Sequence, residues 1–215
     1  MSVATLGGDW ALDWMKRSAK TVNDNRAELI KLDTAIGDGD HGDNLDRGFR
    51  AAIEALDAAS PSNPGEVFKL VAMTLMSKVG GAAGPLYGSV FLKGAKAVDG
   101  TGDLDSAGLA EMLAASLAGL QARGKATTGE KTMVDAWTPA VEAARDAAEE
   151  GKSPTEVLRA AAVAAVEGSD ATIPMVATKG RASYLGQRSA GHRDPGSQST
   201  ALILAAAADA AEALG

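Results

Sequence analysis

Apolar residues recur at three- and four-residue steps through most of the chain, the spacing that buries one face of an α-helix. One such stripe begins near Asp9, and a second covers residues 44–58. Runs that alternate between apolar and polar residues are short. The best strand candidate, residues 172–178, is interrupted by Pro174. We therefore predict an all-α protein without the strand–helix alternation of a doubly wound sheet.

Two capping motifs predict where further helices begin. At residues 63–66, Asn is followed by Pro in the first turn and by Glu three residues later, which indicates a helix start. That helix is expected to end near Gly80. At residues 153–156, Ser and Glu form a capping box. The remaining helices are predicted over residues 105–123, 132–149 and 199–214.

Glycines cluster where the helical pattern breaks, and we expect these clusters to be loops between helices. If the helices run up and down, alternate connections meet at one end, where loops distant in sequence build a ligand site. The sequence has no internal repeat and no linker of biased composition, so we predict one domain over residues 1–215. The clusters cover residues 37–42, 80–88, 124–129 and 180–196.

Composition narrows the possible functions. A net charge of −7 argues against a nucleic-acid or anionic-membrane partner, since both need a basic surface. The absence of cysteine excludes disulfides, thiolate zinc sites and cysteine nucleophiles. No apolar run approaches the roughly 20 residues of a membrane-spanning helix. Residues 1–12 lack the basic start and apolar stretch of a signal peptide, so we expect a cytoplasmic protein.

The densest chemical signal is an acidic loop. Asp33, Asp38, Asp40 and Asp43 lie within eleven residues and among three glycines. Carboxylates this close repel one another unless a cation lies between them, and oxygen-only ligands select Mg²⁺ or Ca²⁺. The alternative is a solvated acidic turn. The abrupt turn at Gly37 and the helix predicted to begin near residue 44 favour a metal site.

Other interpretations of the glycine-rich segments fail. Residues 37–42 match G-x-G-x-x-G, but no strand precedes them and their aspartates would repel a pyrophosphate that carried no metal. An EF-hand would require Glu at the position of Phe49. Residues 119–125 imitate the start of a P-loop, but Ala126 stands where the Mg²⁺-binding Ser or Thr belongs.

Two further segments are candidates for phosphate binding. In residues 79–88, small residues precede a Pro at a helix start, which leaves backbone N–H groups open to an anion. A tight helix–helix contact would explain the same glycines. In residues 179–196, Arg181 and Lys179 can neutralise phosphate, although a solvated basic loop is the alternative. The two histidines, His41 and His192, both lie in these Gly/Asp segments.

These segments resemble the DhaL family, the nucleotide-binding L subunits of bacterial dihydroxyacetone kinases. The similarity extends from about residue 9 to the end of the chain, and four motifs occur in the family's order. Such an order is more specific than any single motif. The motifs are residues 36–44 with 47–49, residues 80–88, residues 123–125 with 129–133, and residues 179–186 with 191–196.

The resemblance implies an antiparallel barrel of about eight helices with the nucleotide on the loops at one end. By position, Asp33, Asp38 and Asp40 would hold two Mg²⁺ ions, and Arg181, Asp38 and Asp40 would act in catalysis. The family often has Ser at the position of Ala83, so one hydroxyl is missing here. The implied nucleotide contacts are His41, Gly42, Asp43, Asn44, Ala82, Ala83, Gly124, Met133, Arg181, Asp194, Pro195 and Gly196.

The resemblance also implies a reaction. A phosphoryl group would pass from a Mg²⁺-bound adenine nucleotide to dihydroxyacetone, which is held on a separate subunit, DhaK. In one form of the family, ADP stays bound and is rephosphorylated by DhaM, a protein of the phosphotransferase system; in the other, ATP exchanges. A chain of 215 residues favours the first form. The alternatives are an ATP-dependent kinase of another short ketose and a non-catalytic nucleotide sensor. Subunits of this family also contact transcriptional regulators.

Overall fold

The computed structural model describes residues 5–214. Residues 1–4 and 215, which the sequence assigns to the same domain, lie outside the described range, as does the start of the segment checked for a signal peptide. Within that range the secondary structure is helical, and the one extended pairing is an isolated bridge between Leu6 and Leu104. The residues considered for a strand, 172–178, form a turn and extended loop instead.

Nine α-helices and one 3₁₀ segment make up the described chain. The α-helices are α1 (Gly8–Asp24), α2 (Arg26–Ile36), α3 (His41–Ala59), α4 (Pro64–Lys78), α5 (Ala83–Ala97), α6 (Ser106–Gly124), α7 (Val134–Glu149), α8 (Pro154–Ala171) and α9 (Pro195–Glu212), and the 3₁₀ segment is Arg181–Ser189.

Eight of these helices form a closed ring. Helix α1 packs against α3, each helix from α3 to α9 packs against the next, and α9 returns to α1. Short connections make successive helices antiparallel. Helix α2 lies outside the ring, against α3, α9 and the 3₁₀ segment. The predicted barrel of about eight antiparallel helices is confirmed.

The ring closes through two buried tryptophans of α1. The indole Nε1 of Trp10 donates to the carbonyl of Ala207 at 3.0 Å, and that of Trp14 donates to Ile203 at 2.8 Å. Phe68 of α4 meets Trp14 edge to face, with ring centroids 5.2 Å apart. The alanine-rich face of α9 lets these large rings approach its backbone, so α9 is almost entirely enclosed.

The two predicted capping motifs are confirmed. The side chain of Asn63 accepts a hydrogen bond from the N–H of Glu66 at 3.0 Å, and Pro64 is the first residue of α4. Ser153 and Glu156 form the reciprocal capping box at the start of α8. Both motifs are local, which is why the sequence alone locates them.

The two largest errors in the predicted helix starts, of three and four residues, both lie at the glycine-rich end. Helix α3 begins at His41 rather than near residue 44, because a side chain from α2 caps it. Helix α9 begins at Pro195 rather than at Ser199, because the Asp194 carboxylate accepts the N–H of Ser197 at 2.6 Å. Pro195 thus opens a helix, as proline does at a first helical position.

Several smaller expectations also need correction. Helix α2, which buries only three of its residues, was not predicted, and the 3₁₀ segment was predicted to be a loop. Helix α4 ends at Lys78, before the glycines. Helices α6 and α7 begin one and two residues later than expected. Gly88 lies inside α5, where a Cβ would come within 2.1 Å of Met76 Cγ, so this glycine serves a helix–helix contact.

Every helix in residues 5–214 is too short or too polar to cross a bilayer.

Candidate functional site

A pocket opens at the end of the barrel where α3, α5 and α9 begin and α2 ends. It therefore collects the positive ends of three helix dipoles, which favour an anionic ligand. Residues from all four motifs named above, called the first to fourth segments in chain order, line it together with Asp33: Asp33, Ile36, Gly37, Asp38, Asp40, His41, Gly80, Gly81, Ala82, Ala83, Leu86, Lys131, Thr132, Met133, Lys179, Gly180, Arg181, Ala182, Asp194, Pro195 and Gly196.

Three of the four clustered carboxylates converge in this pocket. Asp33, Asp38 and Asp40 each place an oxygen within 4.8 Å of the others. The fourth, Asp43, turns away and pairs with Arg26 Nε at 2.5 Å. Three oxygens at this separation suit one or more small divalent cations and repel one another without them.

Asp33 anchors the cluster. It is buried, and its Oδ2 accepts the N–H groups of Asp40 at 2.9 Å and His41 at 3.1 Å, which caps α3. Burial raises its pKa; the two backbone hydrogen bonds oppose this effect, and the charges of Asp38 and Asp40 add to it. Burial and repulsion therefore both disfavour the charged form of Asp33, and a bound cation would offset both effects. These residues fit a metal site.

Gly37 is part of the same cradle. A Cβ at this position would lie 2.0 Å from Asp33 Oδ1, closer than any real contact allows. The backbone of the α2–α3 turn therefore approaches the carboxylate as only glycine permits.

Arg181 brings a cation to the cluster from the fourth segment. It is the first residue of the 3₁₀ segment, and its Nη1 lies 2.5 Å from Asp38 Oδ2. The side chain is 61% exposed, so this pair contributes little to stability and a ligand can reach the guanidinium group. The residue predicted to stabilise phosphate charge and a predicted metal ligand therefore lie side by side.

The second segment supplies open backbone donors. Ala82 is the N-cap of α5, and no side chain in the described chain caps that helix. Asn44 of the first segment lies against Gly80 of the second, since a Cβ on Gly80 would be 3.1 Å from Asn44 Oδ1. The same oxygen accepts a hydrogen bond from Arg47 Nη2 at 2.5 Å. Ala83 lacks a hydroxyl, but its position in the first turn leaves its N–H available to an anion.

A buried hydrogen-bond chain joins three elements behind the pocket. His41 Nε2 lies 2.9 Å from Ser199 Oγ, which also lies 2.7 Å from the Tyr87 hydroxyl and donates to the Gly196 carbonyl at 3.0 Å. Burial lowers the pKa of His41 to about 4, against the opposing charge of Asp38. His41 is therefore neutral at pH 7, and it adds no charge to the anion site.

Asp194 and Met133 form the wall opposite the acidic cluster. Burial raises the pKa of Asp194 to about 7, and its hydrogen bond from Ser197 N–H opposes that shift. A Cβ on Gly196 would lie 2.7 Å from Met133 Cγ, so the third and fourth segments are in close contact here.

Comparison with known proteins assigns the family. The DAK2 domain model matches residues 35–209. The ADP-binding subunit DhaL of PEP-dependent dihydroxyacetone kinase 1 from Listeria innocua is 45% identical over 93% of this chain and 94% of its own length. This chain belongs to the DhaL family. The corresponding subunits of Lactococcus lactis, named PTS-dependent, and Escherichia coli are 43% and 41% identical, over 93% and 92% of their lengths.

Solved structures show the same fold. The dihydroxyacetone kinase of C. freundii, in its native form, superposes with a TM-score of 0.72 at 23% identity, over 97% of this chain. Its complex with AMP-PNP and Mg²⁺ gives 0.71 at 24% identity. This chain spans about a third of the length of those kinase chains, 35% in each case.

Four residues that the DhaL resemblance implies as nucleotide contacts lie outside the lining. Asp43 turns to Arg26, Asn44 supports the second segment from behind, and Gly42 packs against α2, where a Cβ would lie 2.4 Å from the Arg26 carbonyl. Gly124 is next to Leu86, whose Cδ2 would lie 3.1 Å from a Cβ at position 124. The remaining implied residues all line the pocket.

Ile36, Leu86, Lys131 and Thr132 are among the lining residues that the sequence did not mark individually. Lys131 and Thr132 belong to the third family motif and Leu86 to the second, so the motifs contain them without marking them. Ile36 ends α2, a helix that the sequence reading did not include.

Proposed function

We propose that this chain is the ADP-binding subunit of a dihydroxyacetone kinase whose phosphoryl donor is a protein of the phosphotransferase system. One observation carries the proposal: Asp33, Asp38 and Asp40 converge beside Arg181 in a pocket onto which three helix N-termini open. The names of the relatives, at 41–45% identity over nearly their full lengths, support this form of the enzyme.

The charges explain how a polyphosphate settles in an acidic pocket. Asp33, Asp38 and Asp40 are the ligands for two Mg²⁺ ions in this proposal. Bound Mg²⁺ would neutralise the carboxylates and supply positive charge to the phosphate oxygens. Arg181, freed from Asp38, donates to phosphate, and the open N–H groups at Ala82 and Ala83 add uncharged donors.

The other side of the pocket holds the nucleoside. Met133 offers an apolar surface, and Asp194, Pro195 and Gly196 form the first turn of α9 beside it. Gly124 packs next to Leu86 and supports the nucleoside side of the pocket through it. The polyphosphate is thereby directed toward the acidic cluster. Catalysis then consists of positioning and of stabilising charge on the transferred group, with Arg181 as the accessible cation.

The acceptor and the donor come from other chains in this proposal. DhaK presents dihydroxyacetone, DhaM rephosphorylates the bound ADP, and the complex works in the cytoplasm. We treat residues 1–215 as one nucleotide-binding domain, because a single main core runs from Leu6 to Ala211. Contact with a transcriptional regulator stays a prediction.

A kinase of another short ketose is the second candidate. L-erythrulose 1-kinase and D-erythrulose kinase of Mycolicibacterium smegmatis are 32% and 33% identical, and this chain spans 32% and 33% of their lengths. A panel of dihydroxyacetone and both erythrulose enantiomers, tested with the substrate subunit present, separates the two.

The binding part of the proposal is tested on freshly purified protein. Acid extraction followed by nucleotide chromatography is expected to release stoichiometric ADP. Folded protein that carries no adenine nucleotide and does not bind added ADP in Mg²⁺ contradicts the proposal.

The catalytic part is tested by reconstitution with DhaK, DhaM, the general phosphotransferase proteins and phosphoenolpyruvate. Dihydroxyacetone phosphate should form, and ATP should not replace the phosphoenolpyruvate system. Arg181→Ala should slow turnover, whereas Arg145→Ala, an exposed arginine on α7, should not. Nucleotide binding without turnover would favour the sensor alternative.

A further inference from the structure

Lys131 is a buried lysine in the lining of the candidate site. Its side chain is 1% exposed, although lysine is among the residues least often buried. Its backbone φ is +62°, so the chain makes a left-handed turn to direct this side chain inward. Burial of a lysine and a positive φ both disfavour this conformation, so favourable interactions of the ammonium group must compensate for them.

The ammonium group binds backbone carbonyls from two separate segments. Nζ donates to Thr172 O at 2.5 Å, to Ile173 O at 3.4 Å, and to His192 O. Thr172 is the C-cap of α8, so the charge lies at the negative end of that helix dipole. His192 precedes Asp194 by two residues. One side chain therefore holds the end of α8 and the fourth segment together.

Neighbouring hydrogen bonds extend this connection on both sides. Thr172 Oγ1 accepts the N–H of Asp194 at 3.0 Å, which continues the tie into the first turn of α9. On the other side, the buried carboxylate of Asp135 accepts the N–H groups of Gly129 at 2.5 Å and Thr132 at 2.7 Å. The turn that carries Lys131 is thus fixed to α7.

These hydrogen bonds set the distance between the third and fourth segments where both line the pocket. Met133 follows Lys131 by two residues, and Gly196 follows Asp194 by two residues. Met133 and Gly196 are in contact. Both are implied nucleotide contacts. Without the ammonium group, the His192 carbonyl loses its donor and the fourth segment loses its charged link to the third, whereas the other two carbonyls each keep a backbone N–H donor.

We propose that Lys131 is a positioning residue for the nucleotide: its ammonium group holds the third segment against the fourth so that Met133 and Asp194–Gly196 grip the ligand together. This inference rests on the proposed function. It differs from a general stabilising role, because it assigns the effect to nucleotide affinity and to the order of residues 190–196.

The absence of cysteine from the sequence allows a test by chemical rescue. Lys131→Cys carries the only thiol. Unfolding in denaturant, alkylation with 2-bromoethylamine and refolding convert it to a thioether analogue of lysine, which restores the ammonium group at nearly the same length. Lys69→Cys, an exposed site on α4, receives the same treatment as the matched control.

Three quantities are measured at a temperature where circular dichroism shows each protein fully folded. They are ADP affinity in Mg²⁺, amide exchange of residues 190–196, and Mn²⁺ affinity without nucleotide. Unmodified Lys131→Cys should bind ADP about tenfold to a hundredfold more weakly and exchange faster in that segment, with Mn²⁺ affinity unchanged. Alkylation should restore affinity and protection. Both forms of the control should match the wild type.

Wild-type affinity in unmodified, folded Lys131→Cys would overturn the inference, and so would a loss of affinity that alkylation does not reverse although the control refolds. Failure of the wild type to bind ADP would instead remove the proposed function, while the exchange data would still test the tie. If Lys131→Cys does not refold, Lys131→Met provides the test. It removes the ammonium group and keeps the length of the side chain, and unchanged exchange and ADP affinity would contradict the inference.

Discussion

Asp33→Asn separates the two roles that the structure gives to Asp33. The carboxylate caps α3 through Oδ2, and it is the buried member of the acidic cluster. An asparagine in the same rotamer keeps an oxygen for both N–H groups and removes the charge. The cap should survive, and the metal ligand should be lost.

The expected effect on the ligand-free protein follows from the spacing of the carboxylates. At 4.8 Å, each neighbouring charge repels Asp33 by about 1 kcal/mol in a water-like dielectric and about 3 kcal/mol at an effective dielectric of 20. Arg181 offsets part of this through Asp38. We expect Asp33→Asn to stabilise the protein in EDTA by about 1 kcal/mol, or about 3 °C in melting temperature for a chain of this size.

The sign of the pH dependence supports this expectation. Because the pKa of Asp33 is raised in the folded state, ionisation of this group lowers stability as pH rises above 3.8. The advantage of the variant should therefore be present at pH 7 and absent near pH 3.

Saturating Mg²⁺–ADP should invert the order. At a concentration of 100 Kd, a ligand stabilises the wild type by about 2.7 kcal/mol, whereas a variant that cannot hold the cation gains almost nothing. Thermal unfolding in EDTA and in Mg²⁺–ADP measures both arms. Asp146→Asn, an exposed site on α7, is the control and should follow the wild type. A variant that melts below the wild type in EDTA, or that gains equally from Mg²⁺–ADP, would refute the reasoning.

Two further predictions concern the cradle and the buried titratable groups. Gly37→Ala should displace the Asp33 carboxylate and weaken ADP binding in Mg²⁺ by about tenfold or more, whereas Gly102→Ala, which meets no neighbouring atom, should not; equal calorimetric affinities would contradict this. The pKa of Asp194 is raised to about 7, so in EDTA the ionisation of this group lowers the free energy of unfolding as pH rises from 4 to 7. The pKa of His41 is lowered to about 4, so this group raises the free energy of unfolding as pH rises from 4 to 6.5. Asp194→Asn should therefore gain stability over the wild type as pH rises from 4.5 to 6.5; parallel denaturation curves would count against this assignment.

The sequence predicted those features of the fold that depend on neighbours along the chain. Asn63 and Ser153 lie within three residues of the groups they cap, and both helix starts were located correctly. The apolar stripes predicted the helical class, whereas the barrel was implied by the resemblance to DhaL subunits. The capping motifs and the stripes carry the part that the chain itself predicts. These are short-range patterns that no distant contact overrides.

The errors lie where distant residues decide. Helix α3 begins at His41 because Asp33, on another helix, caps it. Lys131 carried no recognisable signal, because its partners are main-chain carbonyls about 40 and 60 residues away, and a carbonyl has no sequence signature. The spacing of the four carboxylates predicted a cation site, and the resemblance implied Asp33, Asp38 and Asp40 as its ligands. The departure of Asp43 toward Arg26 depended on where α2 lies.

Calorimetric titration of ADP into nucleotide-free protein at increasing Mg²⁺ concentrations tests the central claim most directly. If the carboxylates of residues 33, 38 and 40 attract polyphosphate only through a bound cation, affinity should rise with Mg²⁺, and binding in EDTA should be too weak to detect. ADP that binds as tightly in EDTA as in Mg²⁺ would contradict the account.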